Sequence, residues 1–139
     1  WINRAMVDLA RIGGGGLVMK ANFPVLASPS MIASLWDTTF NDTPSSPPPT
    51  NDGLFRLMEG SLATDWDFPY EKLQIPVLIL TGEYDRLFRI NSDIKELKGR
   101  IKSVKEKRYP NAGHLIPLEE PSELIKDLLD FAEGCANGA

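Results

Sequence analysis

The chain has 139 residues, a formal net charge of -4, 42% apolar and 24% charged side chains, which describes one globular domain rather than a disordered segment. Its 19 acidic residues outnumber 15 basic ones, which argues against a phosphate-tracking surface as the main business of the protein, and no nucleic-acid partner is expected. The longest aliphatic stretch, Val77-Leu78-Ile79-Leu80, is too short to cross a bilayer, the single Cys135 closes no internal disulfide, and nothing near Trp1 has signal-peptide order; no membrane partner and a cytoplasmic location are expected.

Residues 1–11 read as a helix, because Ile2, Ala5, Met6 and Leu9 recur at helical spacing while Asn3, Arg4, Asp8 and Arg11 can face water. Glycines 13–16 should stop it, since glycine accepts the left-handed angle of a helix end. A phosphate-cradling loop would need a strand before the glycines and a Lys-Ser/Thr or spaced-glycine pattern after them, and neither is present. A second helix should start near Ser28, with Met31, Ile32, Leu35 and Trp36 on its apolar side. Residues 41–53 are dense in proline and serine and read as a surface excursion, because proline lacks the donor that a packed element needs. Residues 53–63 form a further short amphipathic helix, with Leu54, Phe55, Leu57, Met58 and Leu62 apolar.

The character changes at Leu73. Residues 76–81 (PVLILT) are an apolar run with no polar alternation, the pattern of a strand buried on both faces of a parallel sheet. A brief helix over 92–97 follows. The charged run 102–109 (KSVKEKRY) reads as an edge strand whose lysines discourage foreign pairing. Residues 121–132 form the last helix: proline is in its first turn, Glu119, Glu120 and Glu123 lie near its positive end, and Leu124, Ile125, Leu128, Leu129 and Phe131 make its stripe. Strand, helix, strand, helix is the order of a parallel α/β sheet with right-handed crossovers.

Two residues stand out by position. Asp85 follows the first strand in Gly82-Glu83-Tyr84-Asp85, and His114, the only histidine, follows the second in Asn111-Ala112-Gly113-His114. Functional residues gather beyond the carboxyl ends of parallel strands, so one crossover can bring these two together. An aspartate that accepts the Nδ1 proton orients the imidazole and leaves Nε2 as a general base. Spacing alone leaves open the plainer readings, a histidine satisfied in the core or on the surface and an aspartate closing its own turn.

The runs IPVLILTGEYDRLF and YPNAGHLIPLEEPSELIKDLLDFA resemble the closing segment of an α/β-hydrolase, a resemblance that covers residues 60–132. In that superfamily a G-x-x-D after the penultimate strand gives the triad acid, and a G-H followed by an E-x-P helix start gives the base. The resemblance implies Asp85 as acid, His114 as base, and Pro76, Gly82, Gly113, Glu120 and Pro121 as framework. Gly60-Ser61-Leu62, Asp65-Trp66-Asp67 and GEYD are further similar to the proline iminopeptidase branch of serine peptidases.

No G-x-S-x-G nucleophile turn occurs, and Ser61 reads as a helix-end residue. The expected fold class is therefore α/β, a partial α/β-hydrolase incomplete without an N-terminal half: a helical lid over residues 1–70, then the last two parallel strands with their helices over 71–139. The expected partners are that half or a second chain carrying the nucleophile, and a small-molecule or short-peptide substrate. Hydrolysis of an amide or peptide bond in the aminopeptidase manner, or of an ester, is implied, with no cofactor and no metal. Trp36, Phe55, Met58 and Trp66 are candidates for an apolar lid pocket, and Glu59 and Asp65 for meeting a substrate amine; core packing and solvated helix ends are the alternatives. A rival reading is a non-catalytic α/β-hydrolase relative, a binding or structural module that keeps Asp85 and His114 as structure.

Overall fold

The computed structural model describes residues 2–39, 44–49 and 52–137. Helix α1 (Ile2–Leu26) contains the expected break, since Gly13 and Gly14 leave helical angles and Gly14 takes φ 62°. The helix then resumes, which the four-glycine run did not suggest: only two of the four glycines depart from the helix. Gly14 is also where the backbone of Ser46 passes. A Cβ there would lie 2.8 Å from the Ser46 carbonyl oxygen, so the position needs glycine for both angle and space. Helix α2 (Pro29–Thr39) is capped by Ser28, whose hydroxyl accepts the Met31 N–H at 3.3 Å. Helix α3 (Gly53–Gly60) is capped by Asp52, which accepts the Phe55 N–H at 2.6 Å, and a single 3-10 turn (Ser61–Ala63) follows it. Residues 44–49 of the proline-rich stretch carry no helix or strand, while 41–43, 50 and 51 lie outside the described residues.

The chain forms two compact units, Trp1–Pro24 with Ala33–Phe68, and Val25–Ile32 with Pro69–Ala139. In the first, Val7, Ala10 and Phe23 are buried, and Arg11 binds Glu59 at 2.9 Å to tie α1 to α3.

The second unit carries strand β1 (Val77–Gly82), helix α4 (Asn91–Arg100), strand β2 (Val104–Tyr109), the short helix α5 (Ile116–Glu119) and helix α6 (Pro121–Asn137). The strands pair in parallel, from Val77 opposite Val104 to Gly82 opposite Tyr109. Tyr109, Ala112, Ile116 and Leu124 form the core, with Leu80 packed against it. The expectation that PVLILT is buried on both faces needs correction. Val77 to Leu80 are only half-buried, because β2 is the one neighbour that β1 has among the described residues. The α6 stripe shows the same shortage: Leu124 is buried, but Ile125, Leu128 and Leu129 remain exposed. Two strands offer too little apolar surface to cover the whole stripe. The charges of β2 are answered locally: Lys107 pairs with Glu123 (2.9 Å) and Asp127 (3.1 Å), and Glu106 with Lys98 (2.8 Å).

Candidate acid–base site

The loops after β1 and β2 are stitched together by their backbones. The Glu83 N–H donates to the Tyr109 carbonyl and the Tyr84 N–H to the Ala112 carbonyl, both at 2.9 Å. Glycine is required where they touch. A Cβ on Gly82 would occupy the space of the Gly113 carbonyl, and a Cβ on Gly113 would run into the Leu26 carbonyl. This close approach is the physical content of the glycines in G-x-x-D and G-H.

Asp85 is buried, with 7% of its surface exposed. Its Oδ1 accepts the N–H groups of Leu87 (3.1 Å) and Phe88 (2.8 Å), and its Oδ2 lies 2.8 Å from Nδ1 of His114. One oxygen thus closes the aspartate's own turn while the other meets the imidazole. With both oxygens engaged, the carboxylate is held in place. The His114 side chain is 44% exposed, with the Phe88 ring against it at 4.8 Å between centroids. Since Nδ1 faces Asp85, Nε2 is the nitrogen available to a reacting group. A cavity of about 200 Å³ lies beside the pair, lined in part by Thr81, Phe88, Arg89 and Ile94.

Glu119 is the residue that sequence reasoning missed. Its Oε1 accepts the Gly113 N–H at 2.9 Å and its Oε2 the Ser28 N–H at 2.8 Å. The framework role given above to Glu120 belongs to Glu119 in this geometry. The signal was present, because in Glu119-Glu120-Pro121 the E of E-x-P is Glu119 and Glu120 is the intervening position.

A family model described as alpha/beta hydrolase fold matches residues 9–121. The chain belongs to the α/β-hydrolase fold family. It is 35% identical over 68 residues to the bifunctional esterase/perhydrolase DCH of Acinetobacter calcoaceticus, an alignment covering 49% of this chain and 25% of that protein. Carboxylesterase YbfK of Bacillus subtilis (strain 168) is 27% identical over 78 residues, covering 51% of this chain and 26% of the relative. The chain thus spans about a quarter of the length of each curated relative it matches. The solved structure of a thermophilic esterase from Thermogutta terrifontis (malate bound) superposes with a TM-score of 0.73 at 21% identity, over 96% of this chain and 49% of that one. At that identity the likeness speaks for the fold.

Within this α/β-hydrolase, Asp85 and His114 belong to the second unit, whereas Trp36, Phe55, Met58, Glu59 and Trp66 all belong to the first. Trp36 and Trp66 are exposed at 58% and 57%, and Phe55 and Met58 are half-buried. Trp66 donates its indole N–H to the Ser61 carbonyl at 3.3 Å and meets Phe68 edge to face. The charge of Glu59 is matched by Arg11, and Asp65 closes its own turn on the Asp67 N–H at 3.0 Å. Ser61 ends α3, its hydroxyl donating to the Met58 carbonyl at 2.6 Å, as a helix-end residue should. Among the described residues, no group of three or more His, Cys, Asp or Glu side chains is placed to hold a metal ion, and no helix is long and apolar enough to cross a membrane.

Proposed function

We infer that this chain provides the acid and general base of an ester-cleaving site, whose nucleophile lies in the remainder of the protein. The observation that carries the reading is the 2.8 Å contact between the buried Asp85 carboxylate and Nδ1 of a half-exposed His114. In the proposed reaction Nε2 of His114 takes the proton of the nucleophile as it attacks the ester carbonyl, then gives it to the departing alkoxide. Asp85 accepts the hydrogen bond from Nδ1–H throughout, without taking the proton, so it holds one tautomer and steadies the imidazolium. Water attacks the acyl intermediate by the same base in reverse, and the acid product leaves.

Carboxylic esters are the substrate class that the names of both curated relatives favour. The amide alternative would use Glu59 or Asp65 to grip a substrate amine, and each already has a partner within its own unit. The test is to assay the full-length protein with p-nitrophenyl acetate and with alanine p-nitroanilide, alongside His114→Ala. The ester should turn over, the anilide should be the poorer substrate, and His114→Ala should lower ester kcat/KM by about 10³-fold or more. Anilide cleavage faster than ester cleavage contradicts the substrate class. Ester turnover near the wild-type rate in His114→Ala contradicts the role of the base, and a wild type that turns over neither substrate leaves the non-catalytic reading.

A further inference from the structure

The last residues of α1 touch both loops of the acid–base pair. The Val25 carbonyl accepts the N–H of Arg86, next to Asp85, at 2.9 Å. The Leu26 carbonyl accepts the N–H of His114 itself at 2.6 Å. Ser28, whose N–H is bound by Glu119 Oε2, is fully buried, as is its neighbour Ala27. The other oxygen of Glu119 binds the N–H of Gly113, the residue before the imidazole. One carboxylate therefore closes a ring that runs from Gly113 through His114 to Leu26, on to Ser28, and back through Glu119. The partners are far apart in sequence, 91 positions for Ser28 and Glu119. Local turn chemistry cannot replace this bond, and a buried N–H left without an acceptor carries its full desolvation penalty.

We propose that Glu119 is a positioning residue for His114, its two oxygens holding the 113–114 turn against residues 26–28 so that the imidazole stands at hydrogen-bonding distance from Asp85. The proposal rests on the reading of His114 as the general base. A charge placed only to favour the start of α6 would act through its sign, whereas this role needs two acceptor atoms in fixed places. Glutamine keeps the shape and one acceptor but turns an NH2 toward one of the two N–H donors. It should therefore rescue part, and only part, of what alanine loses.

The experiment uses the full-length protein with p-nitrophenyl acetate, comparing Glu119→Ala, Glu119→Gln and His114→Ala well below their melting temperatures. Glu119→Ala should lower kcat by about 10- to 100-fold, the range usual for residues that orient a functional ligand. KM should stay within about threefold, and Glu119→Gln should fall between Glu119→Ala and wild type. Wild-type kcat in both Glu119 variants, with only the melting temperature reduced, overturns the proposal. If Glu119→Ala does not fold, Glu119→Gln decides: a lowered kcat at unchanged KM supports the role and an unchanged kcat removes it. Turnover near the wild-type rate in His114→Ala instead overturns the underlying reading of the base, and the proposal with it.

Discussion

The two units of this chain hold their polar side chains in different ways. In the second unit the bonds reach far along the sequence: Asp85 meets His114 across 29 positions, and Ser28 meets Glu119 across 91. In the first unit several are local: Phe55 to Asp52 and Ser61 to Met58 span 3 positions, and Trp66 to Ser61 spans 5, beside the long-range pair Arg11–Glu59. Long-range bonds form only when the whole unit is folded, so they hold a side chain in one orientation within that unit. Local bonds need no such completed frame. The contrast is one of long-range against local bonding, and it can be broken by mutation.

The largest effects should come from the long-range side. Asp85→Asn or His114→Ala in the full-length protein should cost about 10³- to 10⁴-fold in kcat/KM on p-nitrophenyl acetate, while the melting temperature of His114→Ala stays near wild type. An equal loss from Trp66→Ala would erase the distinction between the units.

Next come the glycines. Gly82→Ala and Gly113→Ala each drive a methyl group into backbone that cannot yield, and a loss of about 3 kcal/mol or more is expected from the denaturation midpoint. Gly14→Ala, in the first unit, combines a left-handed φ of 62° with the Ser46 carbonyl and should cost about 1–2 kcal/mol. At Gly15 a Cβ meets nothing within 4 Å, and Gly15→Ala should be neutral or slightly stabilising. A Gly82→Ala variant no worse than Gly15→Ala would mean that the two loops are not held in contact.

A smaller effect concerns pH. Tyr109 is buried beneath the sheet ends and donates its hydroxyl to Asp127 at 2.8 Å. Burial first, and that bond second, push its phenol from 10.0 up to about 12. The folded state keeps this proton more firmly than the unfolded chain does. Its contribution is therefore complete below pH 10 and fades as pH rises toward 12. Lys107, bound by Glu123 and Asp127, is held above the usual ammonium range and stays charged through that window. Urea midpoints of the wild type should thus fall relative to Tyr109→Phe between those pH values, and parallel curves would contradict the coupling. Smallest of all, Trp66→Ala should change stability by less than about 1 kcal/mol and alter KM for longer acyl chains more than kcat.

Much of the second unit was legible because its motifs are consequences of backbone contact. Where two strand-end loops touch, only glycine fits, so Gly82 and Gly113 marked the place where Asp85 and His114 could meet. The apolar run of β1 was legible as a parallel strand, but its depth of burial was not, since that depends on neighbours other than β2. The continuation of α1 beyond Gly14 was hidden because glycines argue equally for a stop or a kink until the passing Ser46 backbone is known. Helix α5 was invisible as well, being one turn long and without a periodic stripe. Glu119 escaped for a different reason. A carboxylate before a helix start has an adequate local explanation in the dipole, and nothing local points to an N–H group at Ser28.

The central claim is that Asp85 and His114 act as one unit in ester cleavage, and a double-mutant cycle on kcat/KM tests it most directly. Asp85→Asn, His114→Ala and the double variant of the full-length protein would be compared on p-nitrophenyl acetate. If the carboxylate works only through the imidazole, the double variant loses no more than His114→Ala alone. Losses that multiply would show two independent contributions and contradict the account.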